Sequence, residues 1–211
     1  MDTHEYLRYF EKKYRRRLEC RNKYMDYSDR YNGFKKIFEV LLNKKQKDFT
    51  IIETGTLREA NSWTDGQSTF IFYDFINTFG GKLISIDVNQ EALDFSARFV
   101  GRHIRSSGLA RLECVQGDSV GVLNSISEPA DLVYLDSLDV DKDCDKGMSH
   151  ALLEMVSLRR IISISPGLLV AVDDNWDGIG KGYYPLCWAK ATGQEILYEG
   201  YQILFRIRDF S

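Results

Sequence analysis

Apolar and polar positions along the chain follow two different rhythms. Up to about residue 47, Leu7, Phe10, Tyr14 and Leu18 recur at spacings of three and four, as do Phe34, Ile37, Phe38 and Leu41. That spacing lines up one apolar stripe on a helix of 3.6 residues per turn, so this segment is expected to be helical. From residue 49 short apolar runs alternate with helical stretches. FTIIET (49–54), KLISID (82–87), RLECVQ (111–116), DLVYLD (131–136) and GLLVAVD (167–173) read as strands. Helices are expected from about Ser68, from about Asn89 to Ile104, and from about Ser149 to Ile162. In the second of these Leu93, Ser96, Phe99, Val100 and Ile104 mark one face, and Asn89 suits the N-cap. EILYEGYQILFRI near the end reads as a hairpin turning at Glu199-Gly200.

Strands that alternate with helices imply right-handed crossovers and a mainly parallel sheet covered on both faces. The expected architecture is therefore α/β: a doubly wound sheet with one antiparallel strand from the C-terminal hairpin, plus N-terminal helices. Residues 1–47 form the helical extension and residues 48–211 the α/β domain.

Composition narrows the class without changing that picture. A chain of 211 residues can bury one sizeable core, and 44% apolar with 28% charged residues is ordinary for a soluble globular protein. The net charge of −3 gives no global electrostatic case for nucleic acid or an acidic membrane. No apolar run approaches the roughly 20 residues that span a bilayer. The start, MDTHEYLRYFEKKYRRR, lacks the apolar core of a signal peptide. Cys20, Cys114, Cys144 and Cys187 are scattered with no CxxC pair, which reads as reduced thiols in a cytoplasmic protein. A basic run holds Lys12, Lys13, Arg15, Arg16, Arg17, Arg21 and Lys23. It reads as the solvated face of an amphipathic helix, with a clamp for an anionic substrate or a docking surface as the alternative.

In doubly wound sheets, ligands bind beyond the carboxyl ends of the strands, near the switch in strand order. Here every such end delivers polar groups to one edge: Glu53-Thr54-Gly55-Thr56, Asp87, Gly117-Asp118-Ser119, Asp136-Ser137 and Asp173-Asp174-Asn175. Gly55 lets the backbone turn tightly against a ligand. Asp87 is placed to accept hydrogen bonds from two ribose hydroxyls, since a carboxylate offers acceptors only. Asp118 and Ser119 suit an adenine amino group, or Asp118 caps the next helix.

The series ETG, ISID, GDS, LVYLDS and VAVDDN resembles the class I methyltransferases that use S-adenosyl-L-methionine (SAM), with a Rossmann-like fold. More narrowly it resembles the metal-dependent small-molecule O-methyltransferases, among them the catechol and macrolide-sugar enzymes and the cephalosporin-hydroxylase group. The likeness covers roughly residues 49 to 207. It implies that Glu53 and Gly55 lie along the methionine part of the cofactor, Asp87 holds the ribose, and Asp118 with Ser119 borders the adenine. It implies Asp136 as a first metal ligand. The further ligands are Asp174-Asn175 on the catechol pattern or Asp173-Asp174 on the sugar pattern, and this sequence carries both. Oxygen donors with no His or Cys nearby favour Mg²⁺, or another hard cation such as Mn²⁺ or Ca²⁺. Such a cation would lower the pKa of a coordinated hydroxyl. For the base, Asp139 is the first choice and His150, which opens a helix, the second.

The first motif departs from the family pattern. After Glu53-Thr54-Gly55-Thr56 comes LREANSWT, and only then Gly66-Gln67-Ser68, taken as the delayed second half of the cofactor loop and adding Thr56 and Ser68 to the cofactor residues. Trp63 in that insertion is either a lid or a hydrophobic plug. Tyr183, Tyr184 and Trp188 either line an acceptor pocket or belong to the core of the next helix, the latter preferred. The loop from Asp139 to His150 is not a calcium hand, because Cys144 replaces its glycine and His150 its closing glutamate. The acceptor is expected to be a small molecule, with a sugar or nucleotide-linked sugar the most attractive, and the amphipathic extension can pack in cis or across a homodimer. Rival functions are an NAD-dependent oxidoreductase, although GxGxxG is missing, and a protein of the same fold that binds SAM without methylating.

Overall fold

Each of the five expected apolar runs is a strand: β1 (Phe49–Thr54), β2 (Gly81–Asp87), β3 (Ala110–Gln116), β4 (Leu132–Leu135) and β5 (Leu169–Val172). The hairpin adds β6 (Glu195–Glu199) and β7 (Ile203–Arg206). The computed structural model describes residues 1–19, 29–63, 67–140, 144–175 and 180–208. Among these, the strands form one sheet in the order β3-β2-β1-β4-β5-β7-β6. β1 to β5 pair in parallel, and β7 runs antiparallel to both β5 and β6. The strand order reverses between β1 and β4, so a crevice is expected at their carboxyl ends.

The helices are α1 (Thr3–Leu18), α2 (Arg30–Lys44), α3 (Ser68–Phe79), α4 (Gln90–His103), α5 (Ser119–Ser125), α6 (Cys144–Ser157), α7 (Arg159–Ile164) and α8 (Tyr183–Ala191). Asn89 caps α4 through bonds from the backbone of Glu91 and Ala92, and Asp2 with Glu5 forms a capping box on α1. The expected helix of residues 149–162 is two helices, α6 and α7, that meet at Leu158, and α6 already begins at Cys144, so His150 lies within it and does not open it. Tyr6 rather than Leu7 completes the buried stripe of α1.

Alternate residues of each strand serve different faces, as the pleat requires. Ile51, Leu132, Tyr134, Leu169 and Ala171 join one core with α1, α2 and α3. Ile52, Val133, Leu135, Val170 and Val172 join a second core beneath α5, α6, α7 and α8. The N-terminal helices are part of the first core. Phe38 stacks on Phe75 at 4.7 Å, Tyr6 meets Phe75 edge-on at 5.3 Å, and Phe34 stacks on Tyr134 at 5.7 Å. Such offset and edge-on pairs add to the burial of apolar area.

The core of α8 consists of Pro185, Leu186 and Ala189. Tyr183 is 38% exposed, and Tyr184 is half-buried. This corrects their reading as core positions, because the helix turns them away from the sheet; Trp188 does pack partly on Phe205.

Candidate functional site

A cavity of 190 Å³ opens at the carboxyl edge of the sheet, next to the switch point. Its lining includes Gly55, Asp87 with Val88, and Ser137 with Leu138 at or just after the ends of β1, β2 and β4, Asp118 with Ser119 at the start of α5, and His150 of α6. Gly55 has φ +80°, and a Cβ there would lie 2.4 Å from the backbone oxygen of Asp136. Only glycine allows β1 and β4 to approach this closely. Asp87 is held from both sides: Oδ2 accepts from the amide of Thr56 at 3.1 Å and Oδ1 from the amide of Asn89 at 2.8 Å. The carboxylate is thus oriented, with lone pairs left for a ligand. Val88 and Leu138, 67% and 41% exposed, are large aliphatic side chains left open beside the cavity.

Of the expected cofactor residues, Gly55, Asp87, Asp118 and Ser119 line this cavity. Glu53, Thr56 and Ser68 lie behind it and are buried. The Ser85 hydroxyl donates to Glu53 Oε1 at 2.7 Å and lies within hydrogen-bond distance of Thr56 Oγ1 at 2.9 Å. Burial pushes the Glu53 carboxyl up to about 7, against hydrogen bonds from Thr69, Ser85 and Ser68 that pull it down. Asp118 caps α5, accepting from the amide of Gly121 at 3.0 Å. Thr64, Asp65 and Gly66 of the inserted loop lie outside the described residues, as do Asp141 and Asp143 of the acidic loop. Trp63 is a plug: it packs on the first core beside Tyr14 and Phe70, with Arg17 over its ring at 4.8 Å.

Beside the cavity, the ends of β4 and β5 form an acidic cluster. Asp136 and Asp174 both pair with Lys181, whose Nζ lies 2.9 Å from Asp174 Oδ2. Asp173 turns the other way and pairs with Arg30 at 3.2 Å, both being buried. Asn175 donates its side-chain amide to the Gly200 carbonyl at 2.9 Å. The Tyr201 hydroxyl donates to Asp174 Oδ1 at 2.5 Å. Burial works against a charged Lys181, but Asp136, Asp174 and Asp173 hold it well above the ordinary lysine value. Burial likewise penalises the Asp174 carboxylate, yet Lys181 and Tyr201 bring it below its usual range. Asp174 adopts φ +52°, a left-handed conformation that is uncommon for a residue with a side chain.

The two candidate bases differ in setting. Asp139 is exposed and paired with both terminal nitrogens of Arg58, at 2.8 and 3.0 Å, which hold its carboxyl below the usual range. His150 lines the cavity, with Nε2 3.0 Å from Ser119 Oγ and 3.7 Å from Glu154 Oε1. Glu154 raises its pKa above the ordinary histidine value, against a smaller opposing effect of burial. Glu154 itself is buried and accepts from the Ser137 hydroxyl at 2.7 Å.

Arg30, Lys181, Tyr201 and Glu154 were not among the expected site residues. Lys181 did carry a signal, being a lysine between glycines seven residues after Asp174. Arg30 did not, since it begins α2 outside the basic run. Its neighbour Asp29 accepts from the Tyr201 amide at 2.8 Å, and Arg30 also donates to the Trp63 carbonyl at 3.1 Å. The start of α2 thereby joins β5, the hairpin turn and the loop after β1. Of the basic run, Lys13 pairs with Asp74 at 2.9 Å and Arg15 with Glu11 and Glu19; Arg21 and Lys23 lie outside the described residues.

The donor set does not fit the divalent ion that the sequence resemblance implies. Among the described residues no three His, Cys, Asp or Glu side chains converge as a ligand set. Asp173 and Asn175 are turned to other partners, and the space between Asp136 and Asp174 holds an ammonium. No described helix is long and apolar enough to cross a membrane.

No protein-family model and no curated protein sequence matches the chain. Solved structures match its fold. A protein from Streptococcus mutans described as a methyltransferase, in complex with SAH, superposes with a TM-score of 0.53 at 10% identity, over 81% of this chain and 96% of that one. An rRNA methylase from Streptococcus thermophilus gives 0.51 at 11% identity, over 81% and 94%. A protein from Clostridium thermocellum described as an rRNA methylase gives 0.51 at 12% identity, over 82% and 97%. At such identities the likeness is one of fold: this chain has the α/β architecture that these proteins share.

Proposed function

We propose that the chain binds SAM in the 190 Å³ cavity and transfers its methyl group to a hydroxyl of a small molecule. The observation that carries this reading is Asp87, a carboxylate fixed by two backbone amides at the end of β2, beside the switch point of a sheet shared with methyltransferases. A ribose diol donates two hydrogen bonds, and an oriented carboxylate accepts both. Val88 and Leu138 suit the two faces of an adenine, and Ser119 its polar edge. Bound there, the cofactor supplies an electrophilic methyl group on a sulfonium.

Methyl transfer is an in-line displacement, so the protein's main work is alignment of the acceptor oxygen. That oxygen must also lose a proton. Asp139 is a weak base while paired with Arg58. His150, with Glu154 behind it, lies 3.0 Å from Ser119 at the proposed adenine edge, so its place is beside the cofactor's base and not at the acceptor oxygen.

Two of the similar structures are described as rRNA methylases, an acceptor class that net charge alone does not exclude. The cavity lining carries the carboxylates of Asp87 and Asp118 and no Lys or Arg, which favours a small acceptor over a polyphosphate. With Lys13 and Arg15 engaged by Asp74, Glu11 and Glu19, an uncharged sugar suits the site better than a phosphorylated or nucleotide-linked one. Incubation with methyl-labelled SAM and either a panel of hydroxylated small molecules or ribosomal RNA separates the readings. Label is expected on a small molecule; label on RNA alone would overturn the choice of acceptor.

A further inference from the structure

We infer that Lys181 is the resident cation of the acidic cluster, filling the place that a divalent ion takes in the metal-dependent enzymes whose motifs the sequence resembles. Its ammonium hydrogen-bonds Asp136 and lies 2.9 Å from Asp174, with the side chain only 3% exposed. This is not a surface lysine folded inward. Gly182 beside it is pressed against Ile203 and Asn175, where a Cβ would come within 2.5 and 2.8 Å. Gly147 of α6 faces Lys181 Cγ at 3.6 Å from its own would-be Cβ. The backbone on both sides is thus packed so that the stem can run between helix and sheet.

The partners of the cluster are assigned to match. Asp173 is paired with Arg30 and the second oxygen of Asp174 accepts a hydrogen bond from the neutral Tyr201 hydroxyl, so Asp136 and Asp174 are left to share one monovalent cation. Mg²⁺ requires oxygens at about 2.0–2.1 Å in an octahedron. An ammonium bonded to the same oxygens competes by volume and by like charge. The sequence keeps the acidic residues of a metal site, and the fold satisfies them from within.

Removing the ammonium should therefore create a divalent site. The probe is Mn²⁺, followed by the loss of its free paramagnetic signal, with Mg²⁺ as competitor. The wild type is expected to bind Mn²⁺ only weakly, with no contribution from the cluster. Lys181→Ala is expected to bind it about tenfold or more tightly than wild type, and adding Asp136→Asn to that variant should abolish the gain. A folded Lys181→Ala that binds Mn²⁺ no better than wild type would overturn the inference. So would wild-type binding that Mg²⁺ displaces and Asp174→Asn removes, and this arm needs no lysine variant. Titration of S-adenosylhomocysteine into the same wild-type sample reports on the proposed cofactor independently.

Discussion

Lys181 Nζ lies 2.9 Å from Asp174 Oδ2 while also bonding Asp136, so one side chain ties the ends of β4 and β5 together. The arrangement explains how Asp174 can persist at φ +52°, a strain of roughly 1–3 kcal/mol that its partners must offset. Truncating one member of a buried ion pair leaves an uncompensated charge and typically costs about 3–5 kcal/mol. Lys181→Ala should lower the unfolding free energy in urea by the lower end of that range, since Asp136 and Asp174 keep some exposure. Lys190→Ala, which breaks an exposed pair with Glu199, should cost about 1 kcal/mol or less. Equal effects of the two substitutions would contradict the buried placement of Lys181.

Glu53 gives the fold a pH dependence. Its carboxyl sits at about 7, above the ordinary 4.5, chiefly because it is buried. Below pH 4.5 both folded and unfolded chains keep the proton. Between 4.5 and about 7 the unfolded chain ionises first, so stability falls as pH rises, by roughly 3 kcal/mol in all. His150, also raised, acts in the same direction: the stability it contributes is present at low pH and is lost as pH rises through its folded-state value. Glu53→Gln should flatten the fall, measured as denaturant midpoints from mildly acidic to mildly alkaline pH. An unchanged slope would show that Glu53 is not the titrating group.

Val88 offers a test of binding that stability cannot confound. It is 67% exposed beside the cavity, so Val88→Asp should leave the melting temperature nearly unchanged. The same change places a charge against an apolar ring face and should weaken S-adenosylhomocysteine binding about tenfold, roughly 1.4 kcal/mol. Calorimetric affinities equal to wild type would remove Val88 from the adenine site.

The N-terminal helices should behave as part of the core. Phe38 is fully buried and touches Tyr6, Phe10, Phe72 and Phe75. Phe38→Ala is expected to cost about 3–5 kcal/mol in a single unfolding transition. Two separate transitions, with the α/β part unperturbed, would contradict a shared core.

The sheet was legible because apolar period and strand length agree from β1 to β5, and because Gly200 marks the hairpin turn. The break between α6 and α7 was not, since both halves carry apolar residues throughout. Strand ends located the cavity: Gly55, Asp87, Asp118 and Ser119 converge there because a parallel sheet brings its carboxyl ends to one edge. What the pattern could not supply was the pairing of charges. Asp173 and Asp174 are adjacent in sequence, yet they face Arg30 and Lys181, respectively 143 residues before the one and seven after the other. Motif likeness reads ligand types, whereas the partner that neutralises them depends on loops and helices that the motif does not include.

Calorimetric titration of S-adenosylhomocysteine into wild type and Asp87→Asn shows whether the cavity beside the switch point is a SAM site. Saturable binding to wild type is expected, weakened about tenfold or more in the variant, because an amide cannot accept at both of its terminal atoms. Binding of NADH with no response to either adenosyl compound, or an affinity untouched by Asp87→Asn, would contradict the assignment.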